Sequence, residues 1–461
     1  MLKLQKMIQC LGDFMDIFKE VSDFAEANHY VDVQDKIPVF LCSIGTHLFN
    51  SVNKCGSCEF TPVEAGSEGD DDFTIDECIV RHNRAPIYTP MSMIPDTRLH
   101  IIMRGAKGSG KSILLQLFLA PKTGLLYHKD AMDLGLGFRT MVGPNSVTEA
   151  GMFGSVNEDG EIMGRPLARE MCGGFLGFEE MSSLTDASSK EHSIDMKNQL
   201  LTSTDNGRVN KSMRAGWVEY TTKYTLWGGT QPGRLDLESG MDRRFFILDI
   251  EMSPDKEQKY KEAQNKQSSV TPKERAALAT KSILMQEWFV KRALEVNLKP
   301  PTGISFSEEI MEWMVRPDVR AHEVDLFRRL CLGYTMMQEE WKGGHIVVDM
   351  TPKLEELLES CLRMRKGVME EDVNLIKTTF WNTEMTRSTL IKEVANMITD
   401  RDYQAAKRWV TSNLHPRQWY SEYKPPKKAR GQGVRGPRGV KCFIGHRQIE
   451  VNAEKKWGNG E

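Results

Sequence analysis

Gly105-Ala106-Lys107-Gly108-Ser109-Gly110-Lys111-Ser112 is a stretch built for phosphate chemistry. It fits the G-x-x-x-x-G-K-[ST] pattern of a P-loop in full. Its glycines let the backbone curl so that successive N–H groups point inward, and with a helix N-terminus those amides make an anion cradle. Lys111 would reach the β- and γ-phosphates of ATP, and Ser112 would ligate Mg²⁺. A second constellation is Glu179-Glu180, which ends the apolar run Gly173-Gly174-Phe175-Leu176-Gly177-Phe178. A buried strand finishing in two carboxylates suits a Walker B element. Glu179 would hold Mg²⁺ through water, and Glu180 would polarise the attacking water as catalytic base. A third is Cys55-Gly56-Ser57-Cys58 followed by Cys78-Ile79-Val80-Arg81-His82. C-x₂-C with C-x₃-H is the spacing of a structural Zn²⁺ site formed by Cys55, Cys58, Cys78 and His82. Four protein ligands close such a site, which serves folding rather than catalysis. His47 and Cys42 are spare candidate ligands. The plain alternatives are a glycine-rich turn, a solvated acidic pair and coincidental cysteines.

These residues need particular elements to position them. Leu99-His100-Ile101-Ile102-Met103 reads as a buried strand before the phosphate loop, and Ile113–Leu119 as the helix after it. Tyr224–Gly229 and Phe246–Ile250 read as further buried strands, the first ending at Thr230-Gln231-Pro232. Between the carboxylates and the third strand lie a helix at about 189–202 and the segment Gly207–Tyr220, which reads as a β-hairpin with a basic tip. Apolar residues at three- and four-residue spacing from Leu4 to Phe24, and a second run from about Val39 to Val52, predict an N-terminal helical unit. Residues 251–275 are charged and poor in apolar residues, a loop or a solvated helix. Residues 274–296 form an amphipathic helix, and helices resume after Pro300-Pro301.

Composition sets the frame. The chain has 461 residues, 40% hydrophobic and 27% charged, as in ordinary globular proteins. No apolar run approaches the roughly 20 residues that span a bilayer, and the N-terminus lacks the apolar core of a signal peptide. The expected compartment is cytoplasmic or nucleoid-associated. Nine scattered cysteines argue for reduced thiols rather than a disulfide framework. A net charge of −3 does not predict nucleic-acid binding for the whole chain, so local patches must carry it. One lies near the C-terminus. Two helices at about 388–398 and 401–410 precede a basic, glycine-threaded stretch with Lys427, Lys428, Arg430, Arg435 and Arg438 and a closing strand at Phe443-Ile444. This order reads as a winged helix, and its charge suits DNA phosphates; the alternative is a basic tail.

The motif order from residue 99 to about 335, best from Val147 to Phe246, resembles the AAA+ core of the minichromosome maintenance (MCM) helicases. Thr148–Glu161 is similar to the helix-2 insertion of that family. Lys211 and Arg214-Ala215-Gly216 are similar to its pore-lining presensor-1 hairpin, which grips DNA. Gln231 before Pro232 stands where the family has its sensor-1 Asn-Pro, and Arg244-Phe245 matches its arginine finger, with Arg243 as competitor. Arg320 resembles the sensor-2 arginine of a helical lid over the nucleotide. The chain departs from the family in its Glu-Glu Walker B, in Gln231 and in its short N-terminal region. These departures point to a reduced relative, such as one from a virus or mobile element. The resemblance implies an α/β fold with an AAA+ core, ATP and Mg²⁺ as cofactors, a homohexameric ring, and translocation on single-stranded or duplex DNA. The other functions compatible with these motifs are an AAA+ protein remodeller, and an ATP-gated DNA-binding initiator or regulator without unwinding.

The expected organisation is a helical unit at 1–52, a zinc element at 53–85, the α/β core at 86–255 and a lid at 256–345. A helical linker at 346–380, a winged helix at 381–448 and a tail at 449–461 complete it.

Overall fold

The computed structural model describes residues 15–51, 98–105, 108–127, 140–144, 147–158, 162–163, 165–181, 184, 191–213, 216–222, 224–231, 241–250, 254–299, 301–338, 340–380, 383–397, 403–413, 420–423 and 441–444. They divide into two compact units. The first comprises Met1–Thr230 with Gly240–Leu362, and the second Gln231–Ser239 with Arg363–Glu461.

The first unit is built on one parallel sheet. In chain order its elements begin with α1 (Ile17–Ala27), α2 (Ile37–Ser51), β1 (His100–Gly105), α3 (Lys111–Leu119), β2 (Thr140–Val142) and α4 (Glu149–Phe153). Next come β3 (Ser155–Val156), β4 (Ile162–Met163), α5 (Leu167–Glu170), β5 (Phe175–Phe178), α6 (Glu191–Asn206), β6 (Arg208–Met213) and β7 (Gly216–Thr221). They are followed by β8 (Thr225–Thr230), β9 (Phe245–Ile250), α7 (Pro254–Ser269), α8 (Pro272–Leu298), β10 (Pro301–Phe306), α9 (Glu308–Met314), α10 (Val324–Met336), β11 (Gly344–Val348) and α11 (Pro352–Thr379). The sheet runs in the order β2-β5-β8-β1-β9, every pairing parallel. Strands covered on both faces must be apolar along their whole length. β1, β5 and β8 are accordingly buried at every position, which explains why they read from the sequence as uninterrupted apolar runs.

The N-terminal helix α2 belongs to this core. Trp227 at the centre of the sheet packs against Phe40 of α2, Phe118 of α3 and Phe175 of β5, with ring centroids 4.8, 5.7 and 5.1 Å away. Polar side chains on α2 satisfy the sheet's amino edge. Ser43 donates to the Leu99 carbonyl and accepts from Trp227 Nε1 at 2.8 Å, and Thr46 Oγ1 accepts from Leu99 N at 3.1 Å. His47 Nε2 lies 3.2 Å from the Gly173 carbonyl, so that nitrogen donates; Nδ1 then accepts from Thr225 Oγ1 at 2.8 Å. His47 is therefore a satisfied core histidine. Cys42, the other spare metal candidate, is fully buried, and burial pushes its thiol well above the usual range. The helices α2 and α10 cross closely because each has a glycine there. A Cβ on Gly45 would sit 2.2 Å from the Gly333 carbonyl oxygen, and one on Gly333 2.0 Å from that of Cys42.

One expectation changes, and a second is decided between its two alternatives. The segment after Pro300-Pro301 is first a strand: β10 pairs in parallel with β11 before α9 begins. The charged stretch after β9 is an ordered helix, α7.

The second unit holds the end of α11, β12 (Glu384–Thr386), α12 (Arg387–Met397), α13 (Tyr403–Asn413), β13 (Tyr420–Tyr423) and β14 (Lys441–Ile444). Its sheet is antiparallel, in the order β12-β14-β13. Thr386 Oγ1 accepts from Thr389 N at 3.1 Å, capping α12. Ile376, Leu390, Ile391, Val394, Ala395, Ala406 and Val410 form the core, with Phe380, Met385 and Trp409 against it. The basic residues Lys427, Lys428, Arg430, Arg435 and Arg438 lie outside the described residues, as do Cys55, Cys58, Cys78 and His82.

Candidate functional site

The site is assembled at the carboxyl edge of the sheet, where open parallel sheets hold their ligands. β1 leads into the phosphate loop, of which Ala106 and Lys107 lie outside the described residues. Gly108 and Gly110 adopt φ +83° and +93°, a left-handed conformation that L side chains rarely take. Space around Gly108 is open, with nothing within 4 Å of where a Cβ would stand. Gly110 is the N-cap of α3, so the first amides of that helix face the loop. Ser109 is buried, and its hydroxyl has no hydrogen-bond partner among the described residues. Ser112 stands in the first turn of α3, one residue beyond Lys111.

Lys111 is 8% exposed, and its Nζ donates to the Gly105 carbonyl at 2.6 Å. Burial pulls its ammonium below the usual lysine range, and the nearby Glu180 carboxylate opposes that shift. The Glu180 carboxylate, two residues beyond β5, is thus near enough to act on the charge of Lys111. Glu179 Oε1 accepts from Gln116 Nε2 of α3 at 3.2 Å.

Two glycines of β8, the strand between β5 and β1, allow this approach. A Cβ on Gly229 would meet the Glu179 carbonyl oxygen at 2.5 Å and Lys111 Cε at 3.3 Å. One on Gly228 would overlap Met181 Sδ at 1.7 Å. The Met181 amide donates to the Gly229 carbonyl at 2.6 Å, fixing the chain just past the two glutamates. The sequence signal was the glycine pair inside an otherwise apolar strand, which marks close backbone approach. Gln231 directly follows β8 and is half-buried.

The candidate arginines are elsewhere. Arg243 and Arg244 precede β9, whose Phe245 pairs with His100, whereas the phosphate loop begins where Gly105 pairs with Ile250. Five strand steps, about 16 Å, separate the two edges. Arg243 is exposed. Arg244 is tied to Asp205 at the end of α6, with Nη2 2.8 Å from Oδ2. Arg320 also belongs to this amino edge. Its neighbour His322 lies 3.2 Å from Asp242, and its own amide donates to Glu323 Oε2 at 3.1 Å. The turn that carries Arg320 thus packs beside residues 241–244.

Lys211 is likewise engaged. The β6–β7 hairpin forms as expected, with Met213 paired to Gly216 around a tip whose Arg214 lies outside the described residues. Lys211 Nζ sits 3.0 Å from Glu149 Oε1 of α4 and 3.3 Å from the Gly154 carbonyl. Tyr220 donates to the Phe153 carbonyl at 3.1 Å. Both contacts lash the hairpin to the segment at 149–163. On the opposite face Arg208, Asn210, Ser212, Trp217 and Glu219 are exposed, Trp217 by 65%.

Among the described residues, no group of three or more metal-ligating side chains is brought together, and no helix is long and apolar enough to cross a membrane. Neither protein-family models nor curated proteins give a match to this chain.

Proposed function

We propose that this chain is an ATP hydrolase with an AAA+-type core that works as a ring of identical copies, a hexamer, translocating on DNA. The observation that carries the reading is the buried Lys111 held on the Gly105 carbonyl beside a left-handed glycine turn at the carboxyl edge of a parallel sheet, with the two glutamates following the next strand but one. Phosphoryl transfer to water asks for positioned positive charge and an oriented water rather than covalent chemistry. The phosphate-loop amides and Lys111 fit a triphosphate, and Ser112 and Glu179 fit Mg²⁺, which would neutralise the developing charge between the β- and γ-oxygens. Glu180 takes the proton of the attacking water. Gln231, next in the chain after β8, would orient that water or the γ-phosphate.

Arg243, Arg244 and Arg320 sit on the edge opposite the phosphate loop, which favours a role in a neighbouring copy's site. Head-to-tail packing of one edge on the other closes a ring. Arg243 is the better finger, since Arg244 is held by Asp205. For DNA, the hairpin would present Arg214 at its tip, and Lys211 would serve as its anchor through Glu149 unless DNA displaces that pair. The order β12, α12, α13, β13, β14 in the second unit supports the winged-helix reading, with Lys427, Lys428, Arg430, Arg435 and Arg438 on the excursion between its last two strands.

Trp217 favours a second reading, a protein remodeller, because exposed aromatics grip polypeptide as well as stack on bases. ATP turnover measured with single-stranded DNA, with an unfolded polypeptide and with neither separates the two, beside a strand-displacement assay. The motor reading predicts stimulation by DNA and unwinding, both weakened in the Lys211→Ala, Arg214→Ala double variant. Stimulation by polypeptide alone would overturn it.

A further inference from the structure

The polar helix α7 meets the rest of the first unit along a single stripe. Lys256, Tyr260, Ala263 and Gln267 are spaced four, three and four residues apart, so they share one face. Lys256 Nζ lies 2.6 Å from Asp32 Oδ2, and Gln267 Nε2 donates to the Asn28 carbonyl at 2.8 Å. Ala263 is buried. Between these contacts the Tyr260 hydroxyl stands 3.0 Å from the Ser109 carbonyl oxygen and 3.4 Å from that of Val31. A phenol has one proton to donate, and the shorter contact is the one to the phosphate loop. The same hydroxyl would lie 2.2 Å from a Cβ on Gly110. Tyr260 therefore rests directly on the turn that gives the loop its shape.

The far side of this contact is anchored. Asp32 pairs with Lys36 at 3.4 Å as well as with Lys256. His29 and Asp32 hold φ +57° and +59°. Such conformations persist in non-glycine residues only where surrounding contacts impose them.

A loop whose N–H groups turn inward onto an anion turns carbonyls outward, and a buried outward carbonyl needs a donor. The Ser109 hydroxyl, buried and without a partner among the described residues, is not that donor. We infer that Tyr260 is a positioning residue of the nucleotide site: its hydroxyl latches the Ser109 carbonyl and holds the phosphate loop in its anion-binding curl, with residues 28–36 as the anchor. The inference rests on the phosphate loop being the ATP site.

The test titrates a fluorescent ATP analogue and ADP into the full chain and follows steady-state hydrolysis. Tyr260→Phe removes one hydrogen bond and keeps the ring, so Kd and KM for ATP rise about three- to tenfold. kcat at saturation stays within about twofold, because the tyrosine acts on binding and not on the transition state alone. The melting temperature of the nucleotide-free protein falls by only about 1–4 °C, as the loss of one hydrogen bond produces, and the rise in Kd is read well below it. Asp32→Asn, which weakens the anchor, shifts Kd in the same direction by less. The latch is overturned if Tyr260→Phe binds as wild type while Lys111→Ala does not bind. It is equally overturned if Tyr260→Phe lowers the nucleotide-free melting temperature and leaves Kd unchanged. Wild-type protein that binds neither nucleotide would remove the latch and the ATP reading together.

Discussion

Gly229 decides how near Lys111 and the Glu179 backbone can come. A methyl group there would meet both, the carbonyl at 2.5 Å and the lysine stem at 3.3 Å. Backbone cannot yield as a flexible side chain does, so Gly229→Ala displaces the carboxylate pair. The expected outcome is a fall in ATP turnover of at least about tenfold, as small misplacements at a reacting centre produce, measured as kcat on folded protein. Glu180→Gln separates binding from chemistry. It keeps the shape and removes the base, so kcat falls by about 10²–10⁴. Loss of the carboxylate beside Lys111 leaves the ATP Kd within about threefold, since the phosphate contacts that supply the affinity remain. A kcat unchanged by this substitution would remove Glu180 as base. The placement of both glutamates and the lysine just past strand ends was legible in the sequence because apolar runs lead to them. The role of Gly228-Gly229 was less so, because what a glycine admits depends on the neighbouring strand.

The elements show where local pattern ends. β1, β5, β8 and β9 were legible since burial on both faces leaves mostly apolar residues, while the three half-buried residues of β2 were not read as a strand. Nor was β10, since Pro301-Thr302-Gly303-Ile304-Ser305-Phe306 mixes polar and apolar residues and starts on the second of two prolines. α7 read as a loop or a solvated helix because one anchoring face of Lys256, Tyr260, Ala263 and Gln267 carries almost no hydrophobic signal. The hairpin and its basic tip were legible, but the engagement of Lys211 by Glu149 depends on a helix some sixty residues upstream in the chain. The place of α2 was hidden for a similar reason. Its apolar run gives a helix, while its partner α10 lies far along the sequence. The Gly45–Gly333 crossing tests that packing. Gly45→Ala would drive a methyl group into backbone at 2.2 Å, and overpacking of this kind costs about 1–3 kcal/mol. A urea midpoint lowered accordingly is the expected result. An unchanged midpoint would contradict the close crossing.

At the scale of the whole molecule, the two edges of the sheet divide the labour. The phosphate loop and carboxylates occupy the carboxyl edge, and Arg243, Arg244 and Arg320 the amino edge. Sequence order placed all of them in one core but could not say which edge each took, because that depends on strand direction and on the turn at 320–322 packing beside Asp242. An arginine that completes a neighbour's site contributes about 10³–10⁵ to turnover. Assemblies of Lys111→Ala alone and of Arg243→Ala alone are then both inactive. Mixing the two restores a fraction of wild-type turnover, since an intact phosphate loop can meet an intact arginine only across two copies. No recovery on mixing, with both variants assembled, would place the arginine outside the neighbour's site.

The account as a whole depends on the phosphate loop turning over ATP. Steady-state phosphate release by the purified full chain with Mg²⁺ and ATP, beside Lys111→Ala, measures that directly. Turnover in wild type, stimulated by single-stranded DNA and lost in Lys111→Ala, is the predicted result. Wild-type release no greater than that of Lys111→Ala, with DNA and without it, would contradict the account.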